Sequence, residues 1–196
     1  MFQQNAGAFH GDLGLTTSIF NDETCTEFQK KCLNAPDGGD IEVSDRILGF
    51  IEHYARHLNV PKRVTLEKKG EAIFKQANCD VCHKPSYTTA KNSELPALSN
   101  QKIYPYTDML LHDMGPDLAS NQEFTASPQQ WRTAPLWGLG KHQEVTGELS
   151  LLHDGRASSI LQAILWHGGE AQESVKIIKS LSLEQRTLLI SFLESL

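Results

Sequence analysis

The chain has 196 residues, of which 39% are hydrophobic and 21% charged, with a formal net charge of −6. That length suits one domain of about 100–150 residues with an additional segment. The acidic balance argues against nucleic acid, whose phosphates are met by a basic face, and no apolar run approaches the roughly 18 residues of a membrane-spanning helix.

The opening, MFQQNAGAFHGDLG, has neither the basic n-region nor the apolar h-region of a signal peptide, and it does not read as the start of a domain. A segment with Cys25 and Cys32 follows, then a turn at NAPDGGD. The first predicted helix is EVSDRILGFIEHYARHL. Its Ile47, Ile51, Tyr54 and Leu58 recur at i, i+4, i+7 and i+11, the period of a buried stripe, and Pro61 closes it. One helix with loops buries no core of its own, so residues 1–62 are expected to be a remnant of a larger upstream domain with a linker helix. Were TCTEFQKKC one continuous helix, capped by Thr24 with Glu27, Cys25 and Cys32 would lie about 10.5 Å apart along the axis. A disulfide reaches roughly 7 Å, so a bridge in an oxidising compartment requires that helix to break between them.

From residue 63 the signals become regular. Thr65 is expected to cap a helix through LEKKGEAIFKQAN, with Glu67 in its first turn. Gly70 and Phe74 share one face of it. A glycine there costs about 1 kcal/mol against alanine, which makes sense where another backbone comes close. The expected partner is the terminal helix LEQRTLLISFLESL, with a Ser182/Gln185 capping box and an apolar stripe of Leu188, Leu189, Phe192, Leu193 and Leu196. Before it, SSILQAILWHGG carries a second capping box, Ser159 with Gln162, and a glycine stop at Gly168. Strand alternation is essentially absent. The stretch from Lys84 to Leu152 is expected to be mostly loop with short helical turns, and a loop that long in a compact domain signals function or a bulky ligand.

The densest chemistry is at NCDVCH, residues 78–83. Cys-x-x-Cys-His is the attachment signal of c-type haem: Cys79 and Cys82 add to the two vinyl groups while His83 ligates the iron. Two other chemistries use such residues. A thioredoxin-like dithiol opens a helix after a strand, whereas here a helix precedes. A zinc site needs a second ligand pair, and Cys25 and Cys32 are spaced wider than the usual knuckle. Candidates for a sixth iron ligand are His112, His153, His167, Met109 and Met114. For His112 and His153, each followed by Asp, a loop histidine bonded to a carboxylate or backbone is the favoured reading.

With these residues in view, the chain resembles the C-terminal half of the bacterial di-haem oxidoreductase family, described as thiol oxidoreductases and related to the di-haem cytochrome c peroxidases. The resemblance rests on GAFHGDLGLT, SDRILGFIEHYARHLNVP, GEAIFKQANCDVCH, YPYTDMLLHDMGPDLA, WRTAPLWGLG, LLHDGRASSILQAILWHGGEA and LLISFLESL, which together span nearly the whole chain. It implies a mainly α fold, with residues 63–196 as a class I cytochrome c-like helical domain with long loops. Family members carry two c-type haems, and this chain has a single Cys-x-x-Cys-His, so it resembles a fragment that begins midway through the longer protein. In the related peroxidases the ligand of the second haem, commonly methionine, follows a His-x-Gly loop near the end of the next short helix. His167 stands in the matching place, and a second imidazole there would give a lower potential than a thioether.

Around this core, Arg132 and Arg156 are candidates to pair with haem propionates, and Trp137, Trp166 and Leu136 to pack on the porphyrin. The implied cofactor is one covalent haem c. The implied function is single-electron transfer as the second haem domain, in the periplasm, with the upstream haem domain or an electron-donor protein as partner. One rival is a peroxidase or other oxidoreductase acting at an open iron, with a distal histidine as acid-base group. Another is a structural remnant without haem, since attachment requires export.

Overall fold

A computed structural model describes residues 1–63, 67–92 and 94–196. The described residues are mostly helical, with eight α-helices and a few short strands. Contacts divide them into two units, Met1–Asn59 and Val60–Leu196.

The first unit holds three helices, α1 (Phe2–Leu13), α2 (Lys30–Leu33) and α3 (Asp45–His57). The opening is therefore helical, where the sequence reading placed only a Gly-rich lead. Its apolar residues Phe2, Ala6 and Phe9 lie at i, i+4 and i+7, a helical period that two glycines obscure. The helix stops at Gly14, whose left-handed φ of 68° suits glycine. Ala6, Val43 and Leu48 are buried together, with Phe2, Phe9, Leu15 and Phe20 packed around them.

Helix α3 forms as expected, but it buries Leu48, while Ile47, Ile51, Tyr54 and Leu58 are between 39% and 65% exposed. The expected burial of that stripe is therefore not found: the buried residue of α3 is Leu48. Within this unit α1 packs against α3 and covers the Leu48 side, which leaves the wider stripe uncovered. Cys25 and Cys32 are bridged, with Cα atoms 5.8 Å apart. Helix α2 begins only at Lys30, so Cys25 lies outside it and the required break is present.

The second unit is organised by α4 (Lys68–Gln76) crossing α8 (Leu183–Glu194). Thr65, the expected cap of α4, lies outside the described residues. Glu67 occupies the N-cap, and its carboxylate accepts the N–H of Lys69. Gly70 has the predicted reason to be glycine. A Cβ there would overlap the Leu188 carbonyl oxygen and come within 2.6 Å of the Phe192 Cβ. Phe74, Tyr106 and Phe192 form an aromatic triangle with centroids 5.4–6.0 Å apart, in the spacing such rings prefer. Leu189, Leu193, Leu196, Ile178 and Ile160 complete the core.

Between α4 and the C-terminal helices, residues 84–152 are mostly loop, as expected. The structure adds two small antiparallel ladders and one short helix. Strand β1 (Tyr87–Thr88) pairs with β2 (Lys102–Ile103), and β3 (Leu111–Asp113) with β4 (Gln130–Arg132), with His112 opposite Trp131. These strands of two or three residues are too short to show alternation in sequence. Helix α5 (His142–Thr146) follows, then α6 (Ile160–Leu165) and α7 (Gln172–Ser180). Ser182 and Gln185 form both arms of their capping box. Ser159 accepts the N–H of Gln162, but the Gln162 side chain returns to Ser158 instead. Helix α6 ends at Leu165 with Trp166 as its cap, two residues before the expected glycine stop.

Candidate functional site

Just past the Ala77 cap of α4, Asn78 takes the left-handed conformation, φ 59°, a state asparagine tolerates. The chain then turns through a single 3-10 turn, Cys79–Val81, and the His83 N–H donates to the Cys79 carbonyl at 2.9 Å. This tight turn places Cys79, Cys82 and His83 in the wall of one cavity of about 750 Å³. That size falls within the roughly 300–1,000 Å³ of cofactor and ligand sites. Much of the remaining wall is apolar, with Leu118, Leu136, Trp137, Ile160 and Ile164 among its residues.

His83 donates from Nδ1 to the carbonyl of Tyr106 at 2.9 Å. That carbonyl is delivered by an unusual loop. Tyr106 and Met109 both have positive φ, 52° and 61°, at a cost of order 1–3 kcal/mol each. Buried Thr107 braces the loop: its N–H donates to the Lys84 carbonyl at 3.1 Å and its hydroxyl to the Thr133 carbonyl at 2.6 Å. His167, one turn beyond Ala163 on α6, donates from Nδ1 to the Ala163 carbonyl at 2.7 Å and lines the same cavity. Among the described residues neither Nε2 is taken up by a hydrogen bond.

Burial pushes His83 down to about 4, and it lowers His167 as well. Both imidazoles are therefore neutral at pH 7, the state in which histidine binds a metal. Burial likewise pushes the Cys79 thiol up to about 12 and raises that of Cys82. Neither sulfur is thus poised as the low-pKa nucleophile of a redox dithiol.

The other sequence candidates divide by location. Met114, His112, His153, Arg132, Leu136 and Trp137 line the cavity. Met109 is exposed and does not. His153 stacks on Trp131 with ring centroids 3.8 Å apart. Arg156 and Trp166 lie outside the cavity wall and meet each other, the guanidinium 4.8 Å over the indole. Arg156 also pairs with Asp154 and donates to the Asp117 carbonyl.

His112 makes the expected carboxylate contacts, though not with its neighbour Asp113. Its Nε2 faces Asp108 and its Nδ1 faces Glu170, each at 2.9 Å. These two hydrogen bonds raise its pKa. Glu170 and Asp108 were absent from the sequence reading. Asp108 is four residues before His112, a spacing that signals contact on a helix but not in the loop and strand found here. Glu170 is 58 residues away, a distance no local pattern bridges.

Comparison with known proteins supplies the class. Residues 1–196 match the family described as "Di-haem oxidoreductase, putative peroxidase". The chain belongs to that family, and haem and oxidoreductase chemistry are implied by the membership. No curated protein and no solved structure gives a match.

Proposed function

We propose that residues 63–196 are a class I cytochrome c-like domain that binds one haem c covalently through Cys79 and Cys82, with His83 and His167 as the residues that would ligate its iron. The observation that carries this reading is the presence of two neutral imidazoles in the wall of one cavity. Each spends Nδ1 on a backbone carbonyl and keeps Nε2 for a metal. A carbonyl acceptor on the second nitrogen is the usual support for a metal-bound histidine, fixing tautomer and ring orientation.

The other residues fit the same group. The short turn brings two thiols and an imidazole to one wall, and the apolar lining suits a porphyrin face. Arg132 lines the cavity and has no ion-pair partner among the described residues, which favours it over Arg156 as the partner of a propionate. Trp137 and Leu136 offer apolar contact there.

Bound haem would supply a one-electron couple. The chain's own part would be to hold the iron through the Nε2 atoms of His83 and His167, exclude water with the apolar wall and orient His83 through Tyr106. With both ligands supplied by protein, the domain's task is electron relay to or from a second haem centre, either the upstream haem domain of the same family or an electron-donor protein. Residues 1–62 are read as part of that upstream domain with its linker helix, and the periplasm as the compartment, because haem c attachment follows export.

His167→Ala tests the ligand assignment. In haem-loaded protein the optical spectrum is expected to change from low-spin to high-spin, and an unchanged spectrum would refute the assignment. His167→Met is expected to remain low-spin and to raise the reduction potential, since axial methionine raises it.

A further inference from the structure

We infer that, before haem is attached, Cys82, Asp108 and His112 form a zinc site with Glu170 as the orienting carboxylate of His112, so that zinc and haem compete for the Cys82 sulfur. The Cys82 Sγ, a carboxylate oxygen of Asp108 and a ring nitrogen of His112 all lie within 4.8 Å of one another. Zinc bonds of about 2.0–2.3 Å in tetrahedral geometry hold ligand atoms roughly 3.3–3.6 Å apart, so small side-chain rotations of about 1 Å close the site. Sulfur, nitrogen and carboxylate oxygen are zinc's protein donors, and three of them leave a fourth position for water.

The hydrogen bonds around His112 argue for a cation there. Glu170 Oε2 accepts from Nδ1, and Glu170 Oε1 accepts the Asp113 N–H at 2.8 Å, so the carboxylate is fixed from two sides. With the proton on Nδ1, the Nε2 lone pair faces Asp108 Oδ2 at 2.9 Å. A lone pair cannot face a carboxylate oxygen at that distance without a positive centre between them. In the metal-free chain that centre is a proton, and zinc is the other species able to fill the role. A carboxylate on the far nitrogen of a ligating histidine is the recurrent support of zinc sites. Asp108 is held as well, accepting the Leu110 N–H through Oδ1 at 2.9 Å. The segment bearing Glu170 is locked in place too: Gly169 has φ 49°, and a Cβ there would overlap the Asp113 carbonyl oxygen.

Zinc binding forms one bond each to sulfur, nitrogen and oxygen. It displaces the proton of the Cys82 thiol, since a coordinated thiol is deprotonated outright, and any proton held between His112 Nε2 and Asp108. No oxidant or reductant is involved. Once Cys82 is a thioether the anionic sulfur is gone, so the haem-loaded chain is expected to lose the site.

The test is a zinc titration of the full haem-free chain, with the Cys25–Cys32 bridge intact, by calorimetry in two buffers of different ionisation enthalpy. One zinc per chain is expected, bound with net proton release. Cys82→Ser, Asp108→Asn and His112→Gln should each abolish binding, and Glu170→Gln should weaken it about 10–100-fold. Zinc held as tightly by Asp108→Asn or His112→Gln as by the parent overturns the inference. So does loss of binding in Cys79→Ser with retention in Asp108→Asn, which places the metal on the Cys79–His83 turn. If a variant misfolds by circular dichroism, cobalt(II) on the parent chain decides: charge-transfer absorption of one thiolate supports the site, and that of two thiolates overturns it. The competition between zinc and haem rests on the proposed attachment at Cys82, which is read separately from the spectrum of loaded protein; zinc binding by the haem-free chain does not depend on it.

Discussion

A neutral imidazole in a cavity wall and an imidazole clamped between carboxylates respond to acid in opposite ways. His83 is pushed down to about 4 by burial, whereas His112 is raised by its bonds to Glu170 and Asp108. In the haem-free chain, as pH falls below the unfolded value near 6.5, the unfolded state takes up the His83 proton first. Stability tied to His83 is therefore complete above that pH and lost progressively down to about 4, by at most about 3 kcal/mol. The His112 contribution has the reverse sign: it is complete below 6.5 and lost as pH rises through its raised folded value. Histidine NMR titration of the haem-free chain should show a His83 midpoint near 4 and a His112 midpoint above the ordinary histidine value. At this scale the turn that gathers Cys79, Cys82 and His83 in one cavity wall was legible, because it is set by local spacing alone. Asp108 and Glu170 were not, because their meeting at His112 depends on how residues 108–115 fold back onto residues 168–170.

Where helices cross, the sequence spoke through single residues. Gly70 signalled a close approach, and α8 supplies it through the Leu188 carbonyl and Phe192. Gly70→Ala is expected to destabilise the Val60–Leu196 unit by about 1–3 kcal/mol, seen as a lower urea midpoint. An unchanged midpoint would show that the crossing relaxes freely. Ser182→Ala removes the working arm of the α8 capping box and should cost about 1 kcal/mol. Caps and periodicity located α3, α4, α6 and α8 because each carries a local signal. Which face is covered is a different matter. The stripe of Ile47, Ile51, Tyr54 and Leu58 is apolar by period, yet α1 packs on Leu48, and no property of α3 alone selects between the two. Helix α1 escaped notice because Gly7 and Gly11 dilute its pattern.

Across the whole chain the two units are secured by different means. Met1–Asn59 relies on a small cluster around Ala6, Val43 and Leu48 and on the Cys25–Cys32 bridge. The bridge closes a loop of sequence separation 7, for which loop-closure entropy gives about 2–3 kcal/mol. Reduction should therefore lower the melting temperature of that unit and, if the other unit holds haem as proposed, leave its haem spectrum unchanged. A spectral change on mild reductant, without reduction of the iron, would show that the first unit supports the cofactor. The larger unit has a different dependence, which runs through Tyr106. Its ring is one corner of the aromatic triangle with Phe74 and Phe192, and its carbonyl steers the imidazole of His83. In the chain loaded with haem as proposed, loosening of the helix crossing would thus reach His83, and any metal it holds, through one peptide group. Colour then becomes a gauge of tightness: gentle warming should shift the visible bands before circular dichroism records any melting.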